Sequence, residues 1–284
     1  MSSAHADDAQ TCDDKTIKAV AAWAGVEEKL KPTSPDEEAD DVESEADDNL
    51  ESESDNWIAN AACKAMPNAP GTTIAVIAFN TGVVPDWGFD CAGKECRNIL
   101  EVIALVKAGK VVAASRSTDR EDNYGYVVGI YRIDTARYRL SKDIRAFGIV
   151  FRNAARIPNC ADNGYEGKLA LWIREGKNLR PIFGINLRCW ENHNPYSCRS
   201  PEDQIEEQEL ITISVEKTSS HGFADLAITA HVTQEWSCDR DDCSDRRRTV
   251  RKVMKYNGLY YDSSDDDVRL KCWDNYGPHP SAHW

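Results

Sequence analysis

The segment CWENHNPYSC, residues 189–198, concentrates two thiols, an imidazole and two large aromatic side chains. Cys189, His193 and Cys198 could give zinc three ligands, with a fourth from elsewhere. The same spacing suits a disulfide-closed loop that holds Trp190, His193 and Tyr196 towards solvent. There, rigid aromatic side chains supply contact area at low entropy cost. C-x2-C spacing is absent throughout the chain, so the disulfide-closed loop is the reading adopted. A second cluster, CDRDDCSD, places carboxylates at Asp239, Asp241 and Asp245 that could hold calcium. It lacks the glycine and terminal glutamate of an EF-hand loop, and solvated charge beside a turn explains it equally well. No metal or other cofactor is therefore assigned. Trp190, His193 and Tyr196, followed by Asp239, Asp241 and Asp242, are the candidate partner-binding residues.

Motifs for catalysis are missing. The sequence contains no G-x-S-x-G, H-E-x-x-H or glycine-rich phosphate loop. Of six histidines, His5, His279 and His283 lie near the ends, which leaves little material for a general base. No catalytic residue is assigned and the chain is not read as an enzyme. Carboxylates are abundant enough to supply a glycosidase pair by chance, so their presence does not discriminate.

Ten cysteines, several in close pairs, point to disulfides and an oxidising compartment. The pairs expected are Cys12–Cys63, Cys91–Cys96, Cys189–Cys198, Cys238–Cys243 and Cys160–Cys272. Ala4-His5-Ala6 fits the small-x-small rule of a signal-peptidase site, with cleavage before Asp7. The absence of any N-x-[ST] acceptor leans towards a Gram-negative periplasm or a secreted bacterial protein.

Twelve acidic residues and no basic ones fall between Asp36 and Asp55, and the formal net charge of −14 is mostly the charge of that run. Such a run cannot bury apolar surface and is expected to stay extended. A Cys12–Cys63 bridge would make it a closed loop rather than a tail. The one basic cluster, Arg246, Arg247, Arg248, Arg251 and Lys252, directly follows the acidic DRDDCSD, so no nucleic-acid surface is expected. No apolar stretch approaches the ~18 residues of a membrane-spanning helix.

The elements that must position these residues change character along the chain. Residues 13–31 read as an amphipathic helix, with Ile17, Val20, Trp23 or Ala24, and Leu30 near one face, and KPTSP as its end. A second short helix is expected in NWIANAACKAM, stopped by PNAPG. From Thr72 onward the pattern is a series of strands. TTIAVIAF is one; hairpins turn at Gly109 and Gly176, and ELITISVEK faces ADLAITAHVTQEW across TSSHGF. Asn257-Gly258 gives the strongest hairpin signal, a type I′ turn. The fold expected is mainly β, an antiparallel meander forming a sandwich or barrel, disulfide-stapled and preceded by a small helical segment. Four regions follow: an N-terminal tail at 1–12 with the residual end of an export signal, a helical segment at 13–66 interrupted by the acidic loop 36–55, a β domain at 67–274, and a tail at 275–284.

The stretch from Asp134 to Trp190, with its RAFGI strand and its LALWIREGKNLRPI hairpin, is followed by HGFADL and YNGLYY. Together these resemble β-rich secreted proteins of Gram-negative bacteria, a group that includes periplasmic immunity proteins against interbacterial toxins. The resemblance covers roughly residues 125–262 and implies an exported binding protein. It carries no functional residues across. The function expected is neutralisation of a basic secreted toxin or lytic enzyme by occlusion. A carbohydrate-binding or cell-envelope structural module, suggested by eight tryptophans, is the alternative.

Overall fold

The computed structural model describes residues 10–27, 57–84, 96–121, 127–154, 163–192, 204–237 and 245–262. One helix, α1 (Asp14–Ala24), precedes twelve strands. These are β1 (Ile58–Ala65), β2 (Thr72–Val84), β3 (Cys96–Lys107), β4 (Lys110–Arg120), β5 (Ile130–Asp134) and β6 (Phe147–Arg152). They continue as β7 (Asn163–Glu175), β8 (Asn178–Asn192), β9 (Gln204–Ser220), β10 (Phe223–Ser237), β11 (Arg246–Tyr256) and β12 (Tyr261–Asp262). The chain is mainly β, as the sequence implies, and consecutive strands pair antiparallel in two meanders, β1–β4 and β5–β12. A single parallel bridge, Ala114 to Asn178, joins β4 to β8 and makes the sheet mixed. The sheet does not close into a barrel.

Three apolar clusters show how this sheet folds over itself. α1 and one face of β1–β4 enclose the first, which includes Val20, Ala75, Ile77, Phe79 and Val102. The opposite face of β1–β4 meets one face of β5–β8 in the second, through Ile74, Val76, Ile103, Phe147 and Trp172. The other face of β5–β8 meets β9–β12 in the third, through Leu169, Leu171, Phe183, Ile228 and Met254. The order of layers is therefore α1, β1–β4, β5–β8, β9–β12.

Two layers are apolar on both faces, and their sequences show it. Along TTIAVIAF, Ile74, Val76 and Ala78 face the second cluster while Ala75, Ile77 and Phe79 face the first. In LALWI, Ala170 and Trp172 face the second cluster while Leu169, Leu171 and Ile173 face the third. A strand buried on both faces reads as a continuous apolar run, for the reason known from parallel sheets.

The first helix is shorter than the sequence pattern suggests. Asp13 caps it by accepting the Thr16 amide at 2.6 Å, and Gly25 ends it in the left-handed conformation, φ 77°. Val20 and Ala21 are buried, whereas Trp23 is 42% exposed. Leu30 and KPTSP lie outside the described residues. The predicted second helix is replaced by β1. Alanine-rich residues 58–65 favour a helix locally, but pairing with β2 from Ala65–Thr73 back to Ile58–Phe79 overrides that preference. The Cys12–Cys63 disulfide, formed as expected, ties β1 to the segment before α1.

The type I′ signal is also displaced. At Asn257-Gly258 only the glycine has positive φ, 102°, and the turn spans four residues, with Asn257 Oδ1 accepting the amides of Leu259 and Tyr260 at 2.9 Å. Two consecutive positive φ values occur instead at Ala108-Gly109 (51° and 75°) and His221-Gly222 (48° and 86°). Both are two-residue hairpin turns whose twist suits the flanking strands.

The seam opposite the β4–β8 bridge is closed by side chains. The Gln10 carboxamide imitates a strand residue: Oε1 accepts the Ile133 amide at 2.6 Å and Nε2 donates to the Ile133 carbonyl at 3.0 Å. Its own carbonyl accepts the Cys63 amide at 2.8 Å. Asn60 Nδ2 donates to the Gly129 carbonyl at 2.7 Å. Thus β1 and β5 lie alongside each other, with the segment before α1 stitching them.

Candidate functional site at the loop end

Because each meander alternates direction and the β4–β8 bridge is parallel, every turn falls at one of two ends. At one end the connections are tight: Ala108-Gly109, Gly176-Lys177 and His221-Gly222, together with residues 66–71, 135–146 and 257–260. At the other end lie the strand termini that flank residues 85–95, 122–126, 155–162, 193–203 and 238–244. β1 also begins there, directly after the acidic run. The five flanked segments hold ten acidic residues against four basic ones, with Trp87, Phe89, Tyr124, Tyr126 and Tyr196 among them. Long connections carried on a rigid frame are the usual place for recognition.

Register places strand ends that flank the two predicted binding segments next to one another. Asn192, the last residue of β8, pairs with Glu206 of β9, and Glu206 pairs with Glu235 near the end of β10. Residues 193–203 thus join β8 to β9, and residues 238–244 follow β10, the strand paired with β9. His193, Tyr196, Asp239, Asp241 and Asp242 lie outside the described residues. Asp245 is described and exposed. Among the described residues no group of three or more His, Cys, Asp and Glu side chains could hold a metal.

Trp190 is half-buried. It faces Gly164 across the β7–β8 pair, and a Cβ at Gly164 would lie 2.4 Å from the indole Nε1. The glycine is the space that lets the ring lie flat over β7, so part of Trp190 is a structural cover. Tyr165, half exposed beside it, is the freer aromatic. Cys189 is disulfide-bonded; its predicted partner Cys198 lies outside the described residues. So do Cys91, Cys160, Cys238, Cys243 and Cys272 of the remaining expected pairs.

Next to these strand ends run acidic residues. Glu207 and Glu209 of β9 are buried at 4% and 3% exposure. Glu207 receives the Arg248 guanidinium in a two-point fork at 2.8 and 3.0 Å, the strongest geometry for this pair of groups. The hydrogen bonds that Arg248 donates to Glu207 hold the Arg248 proton more firmly than usual. The basic cluster of β11 is thus partly engaged in intramolecular ion pairs. Arg251 is likewise paired, to Glu216 at 2.6 Å.

Sequence reasoning passed over one further feature at this end. A cavity of about 30 Å³ lies between the β1–β4 and β5–β8 layers, lined in part by Glu101, Tyr131, Phe151, Lys168 and Trp172. Glu101 is 8% exposed, and the Tyr131 hydroxyl donates to its Oε2 at 2.5 Å. Burial pushes its pKa up to about 7; the Tyr131 hydrogen bond opposes this, Asp119 adds to it and Lys168 subtracts least. The signal in the sequence was a lone carboxylate inside the apolar run NILEVIALV.

No protein-family model, curated protein or solved structure matches this chain.

Proposed function

We propose that the protein is an exported binding protein whose loop end seats on a basic secreted protein, a toxin or lytic enzyme, and blocks it. The observation that carries this reading is the division of the molecule into a tight-turn end and a loop end that gathers acidic and aromatic residues. An acidic surface speeds encounter with a basic partner, and a frame fixed by layered sheets keeps the ordering cost of association low. The disulfides at Cys12–Cys63 and Cys189 suit an extracellular or periplasmic setting. Among the described residues no helix is long and apolar enough to cross a membrane. The resemblance to secreted proteins that include immunity proteins agrees in kind.

The test is capture on the oxidised protein from periplasmic and secreted fractions at low and high salt. One basic secreted protein, inactive while held and released by salt, is the expected result. In that complex Trp190→Ala should cost about 2 kcal/mol of affinity, as a central aromatic contact does. Retention of cell-wall glycan in place of protein, insensitive to salt, would overturn the proposal in favour of a carbohydrate-binding module.

A further inference from the structure

We propose that the cavity between the β1–β4 and β5–β8 layers is a binding site for a primary ammonium group, supplied by a free amine or by a lysine side chain. Its geometry has the parts such a ligand needs. Glu101 accepts the Tyr131 hydroxyl at Oε2, and its carboxylate lines the cavity. The rings of Tyr131 and Phe151, 5.1 Å apart and inclined at 34°, line the same space with Trp172. A cation seated there would meet a charge-assisted hydrogen-bond acceptor and aromatic faces together. The volume of about 30 Å³ holds roughly two water-sized bodies. That suits the end of an alkylammonium and is tight for a planar guanidinium.

Charge favours the same ligand. Three groups act on Glu101 from neighbouring strands: Asp119 from β4, Tyr131 from β5 and Lys168 from β7. Asp119 disfavours the carboxylate more than Lys168 favours it, so the resident lysine does not neutralise the site. The carboxyl accordingly keeps a proton up to about pH 7. An entering ammonium replaces that proton, so one cation binds and up to one proton leaves. Affinity should rise with pH until about 7 and then level, weakening about tenfold per unit below it.

This site does not depend on the partner proposed above, and the experiment separates the two. Methylammonium and n-butylammonium chloride are titrated into the full, oxidised chain, followed by NMR of the Tyr131 and Trp172 rings and by calorimetry in two buffers of different ionisation heat. Saturable shifts, proton release at pH 7 and at least a tenfold loss in Glu101→Gln are expected. Tyr131→Phe keeps the ring but removes the hydroxyl that favours the carboxylate, so the pH at which binding levels should move upward. A simple packing defect would not move it. Absence of ring shifts at pH 8 up to tens of millimolar, unchanged binding in Glu101→Gln, or no proton release overturns the proposal. Nα-acetyl-lysine amide, with its side-chain ammonium free, assigns the site to a side chain if it binds as tightly as butylammonium; binding of the small amines alone assigns it to a free amine. Either supports the site, whatever the capture experiment finds.

Discussion

At Glu101 a carboxyl is kept in an apolar space by one short hydrogen bond, and its protonation is therefore coupled to folding. Its proton affinity is raised in the folded chain, from 4.5 to about 7. As pH climbs through 4.5 the unfolded chain releases this proton while the folded chain retains it. Stability from this group therefore falls between those two values and is constant above about 7. The full span corresponds to about 3 kcal/mol. Glu101→Gln keeps an acceptor for Tyr131 and has no proton to lose. It should match the native chain in denaturant unfolding at acid pH and exceed it increasingly up to about pH 7. Equal stability of the two at pH 8 would show that the carboxyl is not held as described. The sequence marked this residue only by contrast, as one charge in an apolar strand. Nothing local announced Tyr131, because its role depends on β5 lying across from β3. Trp190 was visible as an aromatic beside a cysteine, but its contact with Gly164 arises from a pairing made across the β7–β8 hairpin.

Among the elements, the segment before α1 contributes more than its length suggests. Gln10 supplies both hydrogen bonds of a missing strand residue to Ile133, and the adjacent disulfide fixes it there. Gln10→Ala should cost about 1–3 kcal/mol, since the loss strands a donor and an acceptor at the seam. Hydrogen exchange at the Ile133 amide should rise, while exchange at Val102 in the centre of β3 stays near native. Uniform loss of protection at both would instead make Gln10 part of the global core. Cysteine positions made the Cys12–Cys63 link legible, and the doubly buried runs made β2 and β7 legible. β1 was misread because alanines carry a local helical preference that only its neighbour overrides. The Asn257-Gly258 signal found a real hairpin with the wrong turn, since Asn257 uses its side chain to cap the turn and does not adopt positive φ. His221 takes the left-handed conformation that sequence alone would assign to asparagine or glycine.

For the whole molecule, charge is the property that separates the two ends. The bridge between Cys12 and Cys63 spans 51 positions, including the acidic run. Removing residues 36–55 shortens that closed loop, and loop-closure entropy makes the effect on stability less than about 0.5 kcal/mol. Association with a basic partner should nevertheless slow by about tenfold or more at low ionic strength, with the difference fading in salt. Stopped-flow rates at two salt concentrations measure this; equal rates would show that the run takes no part in steering. The opposition of the two ends was not legible in the sequence, because it depends on strand direction accumulated over two meanders and one parallel bridge. The middle layer has a consequence of a different sort, for how the chain finds its register. In an ordinary half-exposed sheet, a one-residue slip is punished because it turns the apolar face to water. Here a slip of LALWI would only exchange Leu171 and Trp172 between two oily interiors, so water exerts no correction. Discrimination falls to volume and to the Glu175–Asn178 turn. Hydrophobic collapse can therefore precede correct alignment in these strands, and the order of folding events is set by shape.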